Sequence, residues 1–223
     1  GVAYNVQIMP IKAAQYSGVL ASSDIAEAII YAVGNGADVI NMSFGGYARS
    51  QIEEDALATA FGQAVLVAAA GNDGKVNLPC KFGRDMYPAA YNWVLGVMAR
   101  TPTPDTQGDY LAGFSNFDCN LQDSHEYELM APGVGIWSTL PNEQQAAWAG
   151  TSMATPVVAG IAALARTKWA DKDVYSSRFI MGQIATTGGM MQAYTPPQGL
   201  PVSYYAPNAF LALTTVPQPK LSY

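Results

Sequence analysis

Apolar positions along the chain follow two periods, and the switches between them predict the elements. Val6-Gln7-Ile8-Met9-Pro10-Ile11 alternates, which predicts a strand with a late proline. Gly18-Val19-Leu20 forms a short linker. Asp24, with Glu27 three positions on, is an N-cap signature for a helix through Ala32 or Val33, stopped by Gly34-Asn35-Gly36. Residues 38–43 then read as a buried strand running into the turn Phe44-Gly45-Gly46. The unit repeats at once. Ser50 and Glu53 make a capping box, Ile52, Ala56, Leu57 and Ala60 recur at helical spacing, Gly62 is the stop, and residues 64–70 are continuously apolar.

Strand, helix, strand, helix and strand in that order, with unbroken apolar strands, predict right-handed crossovers and a parallel sheet covered by helices on both faces. In such α/β architectures the active groups collect beyond the C-terminal strand ends, where Gly71-Asn72-Asp73-Gly74 lies. Val94-Leu95-Gly96-Val97-Met98 reads as a further strand. Residues 157–164 are small or branched hydrocarbons plus Gly160, a helix without a polar face and hence an interior one. Ser152 stands at its mouth, where free N–H groups and the dipole favour developing negative charge. Pro156 is expected near the first turn, where little hydrogen bonding is lost. Arg166 and Lys168 fall in the last turn, as the dipole favours. Residues 175–185 predict another helix stopped by Gly188-Gly189, and residues 199–204 an extended segment bounded by prolines.

Composition narrows the function classes. At 223 residues, half of them hydrophobic, the chain can bury one sizeable core. A net charge of -6, with eleven Lys and Arg and no basic runs, argues against a nucleic-acid partner. No apolar run is long enough to cross a membrane as a helix. Cys80 and Cys119 leave a disulfide and two free thiols equally open. The lone His125 and the lack of a CxxC give no metal ligand set. No GxGxxG or GxxxxGK loop follows any strand, which excludes the common nucleotide-binding patterns. Gly150-Thr151-Ser152-Met153-Ala154, with no histidine after it, does not fit an α/β-hydrolase elbow.

Two strings are specific. Gly150-Thr151-Ser152-Met153-Ala154-Thr155-Pro156, followed by Ala159-Gly160, resembles the nucleophile motif of the subtilisin-like serine proteases, although Val157 stands where that family usually has histidine. Gly71-Asn72-Asp73-Gly74 after a buried Ala-Ala-Ala strand resembles their oxyanion-hole motif. Tyr87-Pro88-Ala89, residues 112–116 and residues 128–134 continue the likeness in order and spacing. Residues 206–213 resemble the family's closing helix, so the likeness spans about residues 1–213, with a loose tail over 214–223.

The resemblance implies a three-layer α/β fold with a mostly parallel central sheet flanked by helices. It implies Ser152 as nucleophile and the Asn72 amide as oxyanion donor, with Gly18, Val19 and Leu20 on one side of a cleft and Ser43, Phe44 and Gly45 on the other. Ala70 and Gly71 are implied to line the primary side-chain pocket. The implied substrate is a polypeptide held extended by main-chain hydrogen bonds. Family habit further implies a secreted or extracytoplasmic location, no organic cofactor, and calcium as an optional ion with no ligands readable. His125, on this reading, is a surface residue remote from Ser152.

A serine hydroxyl needs a base, and the base an orienting carboxylate. In subtilases both precede the segment resembling Gly1-Val2-Ala3, and neither Asp24 nor Asp38 matches the aspartate's context. The expectation is therefore a C-terminal part of a subtilase catalytic domain, lacking the N-terminal strand and the histidine helix. It would be inactive alone, with the slot of the missing helix either filled by a companion chain that supplies Asp and His or left as an apolar, sticky surface. The alternative is a pseudoprotease, a peptide-binding scaffold that kept the cleft.

Overall fold

A continuous apolar strand must be covered on both faces. Strand β2 (Val65–Ala69) is such a strand, buried at every position. Val65 and Val67 join one hydrophobic cluster, Leu66 and Ala68 another, as the two-residue side-chain period requires. The computed structural model describes residues 1–74, 85–117, 127–195 and 201–215. Within them β1 (Val39–Met42), β2, β3 (Val94–Arg100), β4 (Leu129–Pro132), β7 (Gly189–Tyr194) and β8 (Val202–Ala206) form a six-stranded sheet in the order β1-β2-β3-β4-β8-β7. All neighbours are parallel except β7 and β8. A separate hairpin pairs β5 (Ile136–Thr139) with β6 (Gln145–Trp148).

Helices α1 (Ser22–Gly34) and α2 (Gln51–Phe61) pack together and share a core with Leu66 and Met98 through Ile25, Ile29 and Leu57. On the opposite face α3 (Thr151–Lys168), α4 (Ser177–Thr187) and α5 (Ala209–Thr214) bury Val158, Ile161, Ile180 and Ala212 with Val67 and Val97. The three-layer, mostly parallel α/β architecture is the expected one. The β1–β2 register, Val39 opposite Val65 through Met42 opposite Ala68, brings Ser43 level with Ala69, so Ser43 and Ala70 emerge at the same sheet end.

Several local expectations change. Residues 6–11 form no strand, and Ile8 is 79% exposed. A strand exists only through its ladder, and β1 is the sheet edge with no described strand beyond it. Helix α1 begins at Ser22 after Ala21, so Asp24 lies in the first turn near the positive dipole end rather than at the cap. Ser50 does precede α2, but its backbone is held by the Tyr91 hydroxyl, which accepts from Ser50 N–H and donates to Ser50 O at 2.9 Å each. Helix α4 starts later than expected because the Ser176 hydroxyl accepts from the Phe179 N–H at 3.3 Å. Ala206 belongs to β8, and α5 starts after Asn208, whose Oδ1 accepts from the Leu211 N–H at 3.1 Å. Cys80, Cys119, His125 and residues 216–223 lie outside the described residues.

Candidate active site

Three chain segments meet at one end of the sheet: the end of β1 at Ser43, the end of β2 at Ala70-Gly71-Asn72, and the start of α3 at Gly150-Thr151-Ser152. Thr151 is fully buried and joins the last two. Its backbone N–H donates to Asn72 Oδ1 at 2.8 Å and its hydroxyl donates to the same oxygen at 2.9 Å, while that hydroxyl accepts from the Gly71 N–H at 3.1 Å. With Oδ1 held twice, the amide orientation of Asn72 is determined, and Nδ2 is the end left facing outward. Ser152 N–H, at the second helical position, has no intrahelical acceptor. Both donors border one space. A methyl on Gly150 would lie 3.5 Å from Asn72 Nδ2 and 3.7 Å from Ser152 N.

Ser152 and Ser43 are joined twice. Ser152 Oγ donates to Ser43 O at 3.0 Å, and Ser43 Oγ donates to Ser152 O at 2.9 Å. The second bond exists because Pro156 is the sixth residue of α3, not a first-turn residue as expected, and has no N–H for Ser152 O.

The loop carrying Asn72 is tied from outside. Asn116, 4% exposed, donates through Nδ2 to Ala70 O at 2.9 Å and to the Tyr47 hydroxyl at 3.2 Å, and accepts from the Asp73 N–H at 3.1 Å. The Tyr47 hydroxyl in turn donates to Asp73. Gly71 has φ +103° and no room for a side chain beside Met86 and the Asn116 amide.

Against known proteins, the profile described as the subtilase family matches residues 1–193. The chain belongs to the subtilase family. It is 40% identical over 165 residues to the thermophilic serine proteinase of Bacillus sp. strain AK1, covering 74% of this chain and 37% of that protein. To subtilisin DY of Bacillus licheniformis it is 38% identical over 190 residues, covering 85% of this chain and 64% of the relative. The chain thus spans less than two thirds of the length of either. Among solved structures, sphericase superposes with a TM-score of 0.68 at 26% identity, covering 86% of this chain and 64% of that one.

In this subtilase the structure brings Ser43, Gly71, Asn72 and Ser152 together. Phe44 packs half-buried against the α1–α2 core, and Gly45 lies against Met86 and Tyr87. Ala70 and Gly71 are buried. Gly18 and Val19 lie in a separate turn, with Gly18 N–H donating to Gln15 O and Gln15 N–H to Val19 O at 2.9 Å each. No hydrogen bond among the described residues links that turn, or Leu20 after it, to Ser152. Ser152 Oγ bonds to no imidazole or carboxylate among the described residues; its acceptor is a carbonyl, which orients the hydroxyl but cannot take its proton. The shifted ionisations lie elsewhere. Burial lowers Arg166, and burial raises Tyr87 and Tyr91. Among the described residues no group of three or more His, Cys, Asp or Glu is placed to hold a metal ion. Nor is any helix there long and apolar enough to cross a membrane.

Thr151 and Asn116 are the contributors that residue-level reading missed. Thr151 carries no local signal beyond its place in the serine motif, and Asn116 acts on residues 43 to 69 positions away.

Proposed function

We propose that this subtilase chain carries the nucleophile and the oxyanion donors of a serine endopeptidase that cleaves polypeptides through an acyl-enzyme. Ser152 attacks the scissile carbonyl. Asn72 Nδ2 and Ser152 N–H then hold the oxygen as it becomes anionic, in a setting where fixed donors need no reorganisation. The observation that carries this reading is the convergence of those two donors, unengaged among the described residues, on the space beside Gly150. Ser43, Phe44 and Gly45 offer backbone groups to an extended substrate on one side, with Gly18, Val19 and Leu20 opposite, and Ala70 and Gly71 floor the primary pocket. The base and its carboxylate come from a polypeptide segment other than the described residues, and the work is done outside the cytoplasm.

The test is labelling by a serine-directed fluorophosphonate. The chain alone should label at the Ser152→Ala background, and a polypeptide bearing the Asp and His motifs should raise the rate by orders of magnitude. Asn72→Ala should then cost about 10²- to 10³-fold, the loss a subtilisin suffers when it is deprived of one such donor. Fast labelling of the chain alone would overturn the placement of the base. No labelling with the companion present would favour a peptide-binding scaffold instead.

A further inference from the structure

Helix α3 opens with a break in its own ladder. Pro156 is exposed and lacks the N–H that would reach Ser152 O four residues earlier. Ser43 Oγ provides the donor in its place, across 109 positions of sequence. Its proton is directed there because Asn41 Nδ2 donates to the same hydroxyl at 3.0 Å, leaving Ser43 to donate onward. Ser152 Oγ closes the loop by donating to Ser43 O at 3.0 Å. Each side chain is bonded to the other's carbonyl, so the turn bearing the reactive hydroxyl and the backbone at the end of β1 cannot drift apart independently.

We propose that the Ser43 hydroxyl is a positioning residue for Ser152: it stands in for the missing Pro156 N–H and thereby fastens the first turn of α3 to the end of β1. The inference rests on Ser152 being the nucleophile. Ser43 Oγ touches no reacting atom and acts through the carbonyl of Ser152. A donor supplied from within the helix would satisfy that carbonyl equally well but would fasten α3 to nothing. The two roles are therefore separable by Pro156→Ala, which returns an N–H at an exposed position.

A double-mutant cycle on the chain, completed with the base-bearing polypeptide, tests this. The readouts are the thermal midpoint and the limiting rate and half-saturation of Ser152 phosphonylation. Ser43→Ala should lower the midpoint by about 2–6 °C with Pro156 in place and by much less in the Pro156→Ala background. It should lower the limiting rate about tenfold in both backgrounds, with half-saturation moving less than about threefold. Ser43→Thr, which keeps the hydroxyl, should hold both within about threefold of the parent. Recovery of the limiting rate alongside the midpoint in the Pro156→Ala background would overturn the proposal, because Ser43 would then only fill a vacancy. A limiting rate unmoved by Ser43→Ala would overturn it equally. If the parent itself fails to label while the midpoint cycle behaves as stated, the endopeptidase reading is what has failed, and Ser43 is reduced to a structural tie.

Discussion

Removing the Asn116 side chain should loosen the end of β2 more than any single hydrogen bond there could. Asn116→Ala deletes the donor to Ala70 O at 2.9 Å, the donor to the Tyr47 hydroxyl at 3.2 Å and the acceptor of the Asp73 N–H at 3.1 Å. Three net hydrogen bonds at about 1 kcal/mol each, with two backbone groups losing their side-chain partner, give a loss of about 2–5 kcal/mol. For a domain of this size, with about 2–4 °C lost per kcal/mol, the midpoint should fall by about 5–15 °C. Circular dichroism at one fixed scan rate measures it, and amide exchange of Asp73 reports the local part. Asn116→Asp is the informative companion, since it keeps an acceptor for Asp73 N–H but sets a carboxylate oxygen against Ala70 O. A midpoint within about 2 °C of the parent and unchanged Asp73 protection would refute the argument that Asn116 anchors the Asn72 loop.

Gly150→Ala should leave the fold intact, because the added methyl meets its neighbours at 3.5 Å or more, yet it occupies the space between Asn72 Nδ2 and Ser152 N. Ser152 labelling in the completed enzyme should fall about 10²-fold, and an unaffected rate would mean the anion forms elsewhere. Tyr91 is 4% exposed, and burial raises its pKa above the usual value near 10. A group raised on folding stabilises fully below its unfolded pKa, and that stabilisation is lost as pH rises through the folded value. Tyr91→Phe should therefore melt lower than the parent at pH 8, by the worth of its bonds to Ser50, with the gap narrowing as pH rises past the unfolded value near 10 and through the raised folded one. A gap of constant size would contradict this linkage.

The elements read correctly from sequence are those whose cause is local. The unbroken run around Val65 to Ala69 announces burial on both faces, and Gly62 closes α2 where the pattern places a stop. The Gly71-Asn72-Asp73-Gly74 and Gly150-Thr151-Ser152 strings are likewise local, and the structure sets them against each other through Thr151. What was not legible has its cause far away in sequence. Strand β7 pairs antiparallel with β8, and its Gly189-Met190-Met191 start looks like the end of a helix until β8 is in place. The hairpin of β5 and β6 is largely exposed, so no buried stripe marks it. Residues 6–11 have a strand's alternation but no ladder among the described residues, since pattern states only what a segment would do if a partner were beside it. Arg166 looks like a dipole cation. It does stand in the last turn of α3, but it is also 5% exposed and donates to Tyr175 O at 2.6 Å, bracing the connection between α3 and α4.

Saturation of the surroundings is what singles out the two donors proposed for the oxyanion. Around the meeting point of β1, β2 and α3, Asn72 Oδ1 is held twice by Thr151, Gly71 N–H goes to Thr151 Oγ1, Ala70 O to Asn116, and Ser152 O to Ser43. Thr151 O, the preceding helical carbonyl, accepts from Thr155 Oγ1 at 2.8 Å. Each of these bonds removes a group that could compete for a ligand or rotate to meet one. Asn72 Nδ2 and Ser152 N–H are left without partners among the described residues, carried by a frame whose neighbouring groups are already bonded to one another. A donor that is unsatisfied because the frame forbids it a partner waits at full strength for an oxygen that turns negative, whereas a flexible one would already have found a substitute.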